Sequence, residues 1–419
     1  MYQNNRNLFP FFAVLMSAGI ITGFYGIVFW VAEHIGSQSR LVLNATDQGL
    51  EGSFNTAPKT AATASSSRIL GTHEATVLSL TAFSGAPDNP FSSLPIASGS
   101  YDSKVKLWDA SWDASKGLNP GASAEKSAEK SAEVQTLTHH GRVNDLAFIA
   151  GESPSQASQS KQTHRERAYQ YRLVTGSGAG EIKLWGFPSG NLITTIAEPS
   201  GRILSLAVSA DNTLIASGSS DGALKLWPVE GISEQKSQTN LRANLLGRAI
   251  AQSGPAIRAL AFHPTNSNLV VSGNQAGTIQ VWDIQQSQPL FTLNNGADRI
   301  TNLAISPDGR YVASGSYDKL IRIWNLASGE LISTLSGHDF VVADVAFSPD
   351  GQTLASASYD ESIKLWDWAS SKERCTLRGH DGFVYSLAFT AGGNALISGG
   401  HDGTVRAWNL TAPSKGCLK

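Results

Sequence analysis

Apolar and polar positions follow two different rhythms along this chain. From Leu8 to Ala32 the run LFPFFAVLMSAGIITGFYGIVFWVA holds 25 residues without a charge. As a helix it would be about 37 Å long at ~1.5 Å per residue, more than the ~30 Å hydrocarbon core of a bilayer. Tyr25 and Trp30 lie toward its C-terminal end, where amphipathic rings favour the interface. A secretory signal has a shorter apolar stretch of ~7–15 residues before a small-x-small cleavage site. The pattern therefore predicts an N-terminal flank over 1–7 and one uncleaved transmembrane helix over 8–32. Residues 33–66 have no apolar period and are rich in Ser, Thr and Ala, the composition of a flexible linker.

Beyond Leu70 the rhythm becomes short alternating runs. In GHDFVVADVAFSPDGQTLASASYDESIKLWD, Val342 to Phe347 alternates, and Ser348-Pro349-Asp350-Gly351 then supplies a turn in which Pro pre-sets one φ and Gly allows a positive one. A second run (Thr353 to Ser356), a polar turn at Tyr359-Asp360 and a third run ending at Trp366 follow. These are strands at hairpin spacing with no helical period. The unit repeats. Seven of the ten Trp end a similar segment, at 108, 185, 227, 282, 324, 366 and 408, and four of the six spacings are 42 residues. The other two, 77 and 55, are the same period with insertions.

The GH start, SPDG turn, SxSxD turn and WD-type ending resemble the WD40 repeat. The resemblance covers about Leu70 to Leu410 and implies an all-β fold, a seven-bladed β-propeller of four-stranded antiparallel blades over 67–411, with a tail at 412–419. No apolar strand follows Trp408, so Ser67-Arg68-Ile69-Leu70 is expected to supply the last blade's outer strand and close the ring. The family's structural tetrad is a His before the first strand, with a Ser eight and an Asp six residues before the Trp. The first unit offers His73, Ser100, Asp102 and Trp108, the sixth His338, Ser358, Asp360 and Trp366. Elsewhere the set is broken: Ala179 replaces the Asp of the second unit, Gly400 the Ser of the seventh, and the fourth has Asn274 and Ala276. His, Ser and Asp together also describe a hydrolase triad, but recurrence in register with a strand-ending Trp points to a structural network.

The resemblance also implies that partners dock on the narrow top face. Mapping by repeat places Tyr101, Ser220, Tyr317, Tyr359 and His401 beside the tetrad Asp, and Thr76, Arg142, Arg202, Arg299, Val341 and Phe383 just before the first strand. Of these, Tyr101, Arg142, Arg202, Arg299, Tyr317, Tyr359, Phe383 and His401 form the expected partner site, because Arg and aromatic side chains dominate binding hot spots. They suit an acidic or polar segment held by bidentate Arg contacts and stacking.

Composition narrows the function further. Lys plus Arg number 32 against 34 Asp plus Glu, so a net charge of −2 offers no basic field for nucleic acid. Two cysteines, Cys375 and Cys417, make neither a disulfide framework nor a zinc pattern. No phosphate loop or nucleophile motif occurs, and the expectation is no catalytic residue, no metal and no cofactor. The expected function is a non-catalytic protein–protein interaction scaffold or complex-assembly factor tethered to a membrane; a ligand-sensing propeller and an enzyme using the central channel stay open as alternatives. Arg6 and the terminal amine precede the helix while Glu33, Arg40, Asp47 and Glu51 follow it, a mild bias toward a cytoplasmic N-terminus and an extracytoplasmic, periplasm-like propeller. A cleaved signal with a soluble periplasmic product, and a propeller in the cytoplasm, are the other two arrangements. The regular repeats resemble those of bacterial WD40 proteins, cyanobacterial ones among them. Insertions at 121–133, 152–168 and 229–252 have open roles; within the last, Leu241 to Ile250 reads as a short amphipathic helix. Oligomeric state is left open.

Overall fold

The computed structural model describes residues 67–83, 95–109, 133–150, 171–187, 189–197, 201–229, 247–251, 253–286, 288–294 and 298–411. The helix expected over 8–32, the linker, the tail and most of the three insertions lie outside them. Among the described residues, 28 strands form seven four-stranded antiparallel sheets. No helix among them is long and apolar enough to cross a membrane.

Six sheets take their strands in chain order. Blade 6, for example, runs Val342–Phe347, Leu354–Ser358, Ser362–Asp367 and Lys372–Arg378. Its hairpins close where the sequence supplies turn residues: Gly351 sits at φ 72°, a left-handed conformation that favours glycine. The first strands touch one another in cyclic order, so they surround a common axis. Blade 7 departs from chain order. Its sheet is Val384–Phe389, Ala395–Gly400, Thr404–Asn409 and then Ser67–Thr72, the last pairing antiparallel from Ser67↔Trp408 to Thr72↔Thr404. The two ends of the ring are thereby joined through one sheet, and neither is left as an open edge.

The core lies between the blades. The first residue of every innermost strand is Val or Ile, and those of blades 1, 2, 3, 5, 6 and 7 are 0 % exposed. Ala313, Ile321, Ile323 and Leu335 of blade 5 pack on Val342, Val345, Leu354 and Trp366 of blade 6, and the pattern recurs around the ring. Fully burying one such aliphatic side chain contributes about 1.5–3 kcal/mol. At the seam Leu70 joins Val77, Ile96 and Trp108 of blade 1 to Ile397 and Val405 of blade 7. Close approach explains Gly71: a Cβ there would lie 2.1 Å from Cζ3 of Trp108.

One expectation changes. The stretch read as an amphipathic helix ends in a strand instead, because Arg248–Ala251 pairs with Leu224–Pro228 as the outer strand of blade 3 and buries Ile250. Satisfying the edge of that sheet outweighs the local helical pattern. Cys375 is buried on the outer strand of blade 6, and the other cysteine of the chain, Cys417, lies outside the described residues.

Candidate functional site

The His, Ser and Asp sets come first, because their geometry decides whether they do chemistry. In blade 1, His73 Nδ1 is 2.9 Å from Asp102 Oδ2, His73 Nε2 is 2.7 Å from Ser98 Oγ, and Trp108 Nε1 donates to the same Oγ at 2.7 Å. Blade 6 repeats this with His338, Asp360, Ser356 and Trp366, and blade 7 with His380, Asp402, Ser398 and Trp408. The hub is therefore the Ser ten residues before the Trp. Ser100 and Ser358, expected in that role, sit one step further up the strand: each donates to a loop carbonyl, Ala75 or Phe340, and accepts the N–H of the tetrad Asp. Register gives the reason. Trp108 pairs with Ile96, so its ring leans diagonally over Ser98, the next residue on that face, and Ser100 is beyond reach. Blade 7 is consequently complete, and Gly400 is no departure.

The network is satisfied when His Nδ1–H donates to Asp, Ser O–H donates to His Nε2 and Trp N–H donates to Ser. Burial raises the Asp360 and Asp402 carboxyls, but hydrogen bonds from the His and from backbone N–H groups outweigh it and hold both well below the usual carboxylate range. Burial dominates at His73 and lowers its pKa. Ser98, Ser356 and Ser398 are 0 % exposed, so no substrate reaches these hydroxyls, and the sets hold the blades rather than act as nucleophiles. In blade 2, Thr175 replaces the hub Ser and Ala179 leaves His139 Nδ1 without a hydrogen bond. There burial, aided by Lys183, lowers His139 to about 4.

The exposed end of the ring is built differently. In all seven blades the residue beside the tetrad Asp position donates its N–H to the carbonyl of the residue before the innermost strand, at 2.8–3.1 Å; Tyr101 to Thr76, Tyr317 to Arg299, Tyr359 to Val341 and His401 to Phe383 are four of these pairs. This bond fixes both series of loop residues around one mouth. Every innermost strand also begins with a β-bulge, as between Val384 and Ser386, which re-aims one further residue per blade.

Side chains from successive blades then meet. The Arg299 guanidinium lies 4.4 Å over the Tyr317 ring, Tyr317 contacts Tyr359 edge-on at 6.5 Å, and Tyr359 stacks on Phe383 at 4.7 Å and 16°. Tyr385, the bulge residue of blade 7, tilts against Tyr359 at 5.1 Å, and His401 against Phe383 at 5.9 Å. Further round, Arg142 sits 5.3 Å over the ring of Tyr101, which is half exposed. Enclosure and the neighbouring phenols raise the Tyr359 hydroxyl well above its ordinary value, and enclosure pushes Tyr385 up to about 12, so both stay protonated hydrogen-bonding groups. Arg202 is exposed in blade 3 and makes no contact with the aromatic run. Of the eight residues expected at the partner site, seven are thus drawn into two contact groups and Arg202 stands apart. Sequence reading missed Tyr385 and Arg258, which occupy bulge positions, and Phe340, which is 50 % exposed beside Val341 with Lys319 5.6 Å from its ring.

Comparison with known proteins agrees with this architecture. The family model "WD domain, G-beta repeat" matches residues 64–109, 190–228, 246–283, 287–325, 329–367 and 371–409, more than half of the chain. Blade 2, with its Thr hub and missing Asp, has no match of its own, although it folds as the others do. The chain is 32 % identical over 102 residues to coronin-7 of Mus musculus, covering 24 % of this chain and 10 % of that protein. It is 30 % identical over 144 residues to nuclear distribution protein PAC1 of Arthroderma otae, covering 33 % and 30 %. A guanine nucleotide-binding protein subunit beta-like protein of Encephalitozoon cuniculi is 27 % identical over 126 residues, covering 30 % and 35 %. The matched stretch thus spans about a third or less of these relatives' own length. With its matching repeats and its closed ring of seven four-stranded blades, the chain belongs to the WD40 repeat family.

Proposed function

We propose that the propeller is a non-catalytic protein-interaction scaffold that grips a partner segment on its top face and is tethered to a membrane by residues 8–32. The observation that carries the reading is the continuous run Arg299–Tyr317–Tyr359–Phe383–His401, in which aromatic and cationic side chains of three successive blades are held in mutual contact at one exposed mouth. Such side chains bury much area for few rotatable bonds. The buried tetrads leave the His, Ser and Asp sets to stability, so recognition falls to the surface. Changing Arg142, Arg202 and Arg299 together to Ala should abolish recovery of partners crosslinked to the full-length protein; an unaltered partner set rejects the top face as the docking surface. Protease added outside intact spheroplasts tests the topology: digestion of the propeller without lysis supports an extracytoplasmic propeller, and protection until lysis rejects it.

A further inference from the structure

The top face is divided, and the division specifies the partner. Blades 2, 3, 4 and 5 each present one arginine at the start of the innermost strand: Arg142, Arg202, Arg258 and Arg299. Blades 6, 7 and 1 present none at those positions. Blades 6 and 7 carry Phe340, Tyr359, Phe383 and Tyr385, of which Tyr359 and Phe383 stack, and blade 1 carries Tyr101 beside Arg142. Four consecutive blades with an arginine therefore face two that are purely aromatic. In a ring of seven, blade 3 lies opposite the seam between blades 6 and 7, so Arg202 is across the axis from the Tyr359–Phe383 stack.

We infer that the occupant is an acidic peptide in extended form, which crosses the mouth with a carboxylate on the arginine arc and an aromatic side chain on the Tyr359–Phe383–Phe340 ledge. The inference rests on the top face being the docking surface. Three observations favour this chemistry. Arg299 holds one buried donor, Nε, with no hydrogen-bond partner, while its guanidinium plane is already occupied by Tyr317; a buried donor of this kind calls for an acceptor. Arg202, exposed and without an ion pair among the described residues, adds a second cation to the same arc. On the other side Phe340 exposes half of its surface beside a ready-made aromatic stack, an arrangement that rewards a planar apolar group. Because Arg202 lies across the axis from the ledge, while Arg299 adjoins it through Tyr317, a single small anion cannot span Arg202 and the stack, whereas a chain of several residues can. Carboxylates suit the arginine arc through paired N–H donors.

Display selection of short random peptides on the full-length protein in detergent provides the test, followed by titration of enriched peptides against three variants. Enriched sequences should combine Asp or Glu with Phe, Tyr or Trp several residues away. Arg202→Ala with Arg299→Ala should weaken them about tenfold or more, and so should Phe340→Ala with Phe383→Ala. The arginine variant should also flatten the salt dependence of binding, which the aromatic variant leaves intact. Phe340→Ala alone, at an exposed position, keeps the test valid if the pair with Phe383 unfolds. Basic or purely apolar enriched peptides that still lose binding in these variants overturn the inference and leave the docking surface standing. Peptides indifferent to every top-face change overturn both, as does a selection that enriches nothing over a bare support.

Discussion

Asp344→Asn should flatten the pH dependence of stability. Asp344 is the third residue of the innermost strand of blade 6 and is 6 % exposed. Its Oδ2 accepts the Leu387 N–H of blade 7 at 2.6 Å and its Oδ1 the Val345 N–H at 2.8 Å, so the carboxyl clips one blade to the next. Asp145 of blade 2 clips blade 3 through Leu206 N–H and Ser205 Oγ in the same way. Neither is paired with a cation. Burial outweighs the hydrogen bonds and pushes Asp344 up to about 7 and Asp145 up to about 6, from an ordinary 3.8. An acid whose folded pKa lies above its unfolded one binds more protons when folded, so stability falls as pH rises between the two values. At about 1.4 kcal/mol per pH unit, raising the pH from 4 to 8 costs about 4 kcal/mol through Asp344 and about 3 through Asp145. Asp360 and Asp402 act with the opposite sign: held low, they contribute stability above about pH 4 that is lost on further acidification. His139 and His73, held below their ordinary value by burial, act the same way: they cost stability as the pH falls below about 6.5 and so offset part of the Asp344 and Asp145 effect. Urea unfolding of wild type and Asp344→Asn at pH 5 and pH 8 isolates the Asp344 share, and over that interval the variant should gain on wild type by about 2–3 kcal/mol. Equal changes in the two proteins would refute the reasoning.

Three further outcomes follow from the packing. Ser356→Ala removes the hub of the blade 6 tetrad and strands His338 Nε2 and Trp366 Nε1, so it should cost about 2–4 kcal/mol in chemical denaturation, against about 1 for Ser358→Ala. Deleting Ser67–Thr72 removes the fourth strand of blade 7 and reopens the ring, and should lower the single melting transition of the whole propeller in calorimetry. Ala179→Asp restores the missing partner of His139 Nδ1; it should stabilise by about 1 kcal/mol and raise the His139 pKa from about 4 in an NMR titration.

Most of the architecture was legible because it is repeated. Seven strand-ending Trp at a recurring 42-residue spacing specify blade count, and Ser67–Thr72, expected from its place ahead of the first repeat to close the ring, pairs with Thr404–Asn409. Errors arose where one repeat offers two equivalent residues. Ser98 and Ser100 share a strand face, and only the diagonal reach of Trp108 chooses between them. The SGG of blade 7 carried a usable signal, since its one Ser is the hub. Position beside the tetrad Asp located Tyr317, Tyr359 and His401, because a backbone hydrogen bond ties that position to the mouth in every blade. Tyr385 and Arg258 escaped notice because a β-bulge does not alter the alternation of apolar residues, although it decides which side chain turns toward the mouth. Arg248–Ala251 was misread because four residues of edge strand have no period of their own.

The proposed docking surface is tested most directly by photocrosslinking in cells that produce the full-length protein. A photoreactive residue placed at Phe340 on the aromatic ledge should capture the partner in good yield, whereas one at Val134 or Ile332, exposed on outer strands, should capture little. Efficient capture from the outer strands and none from Phe340 would contradict the account.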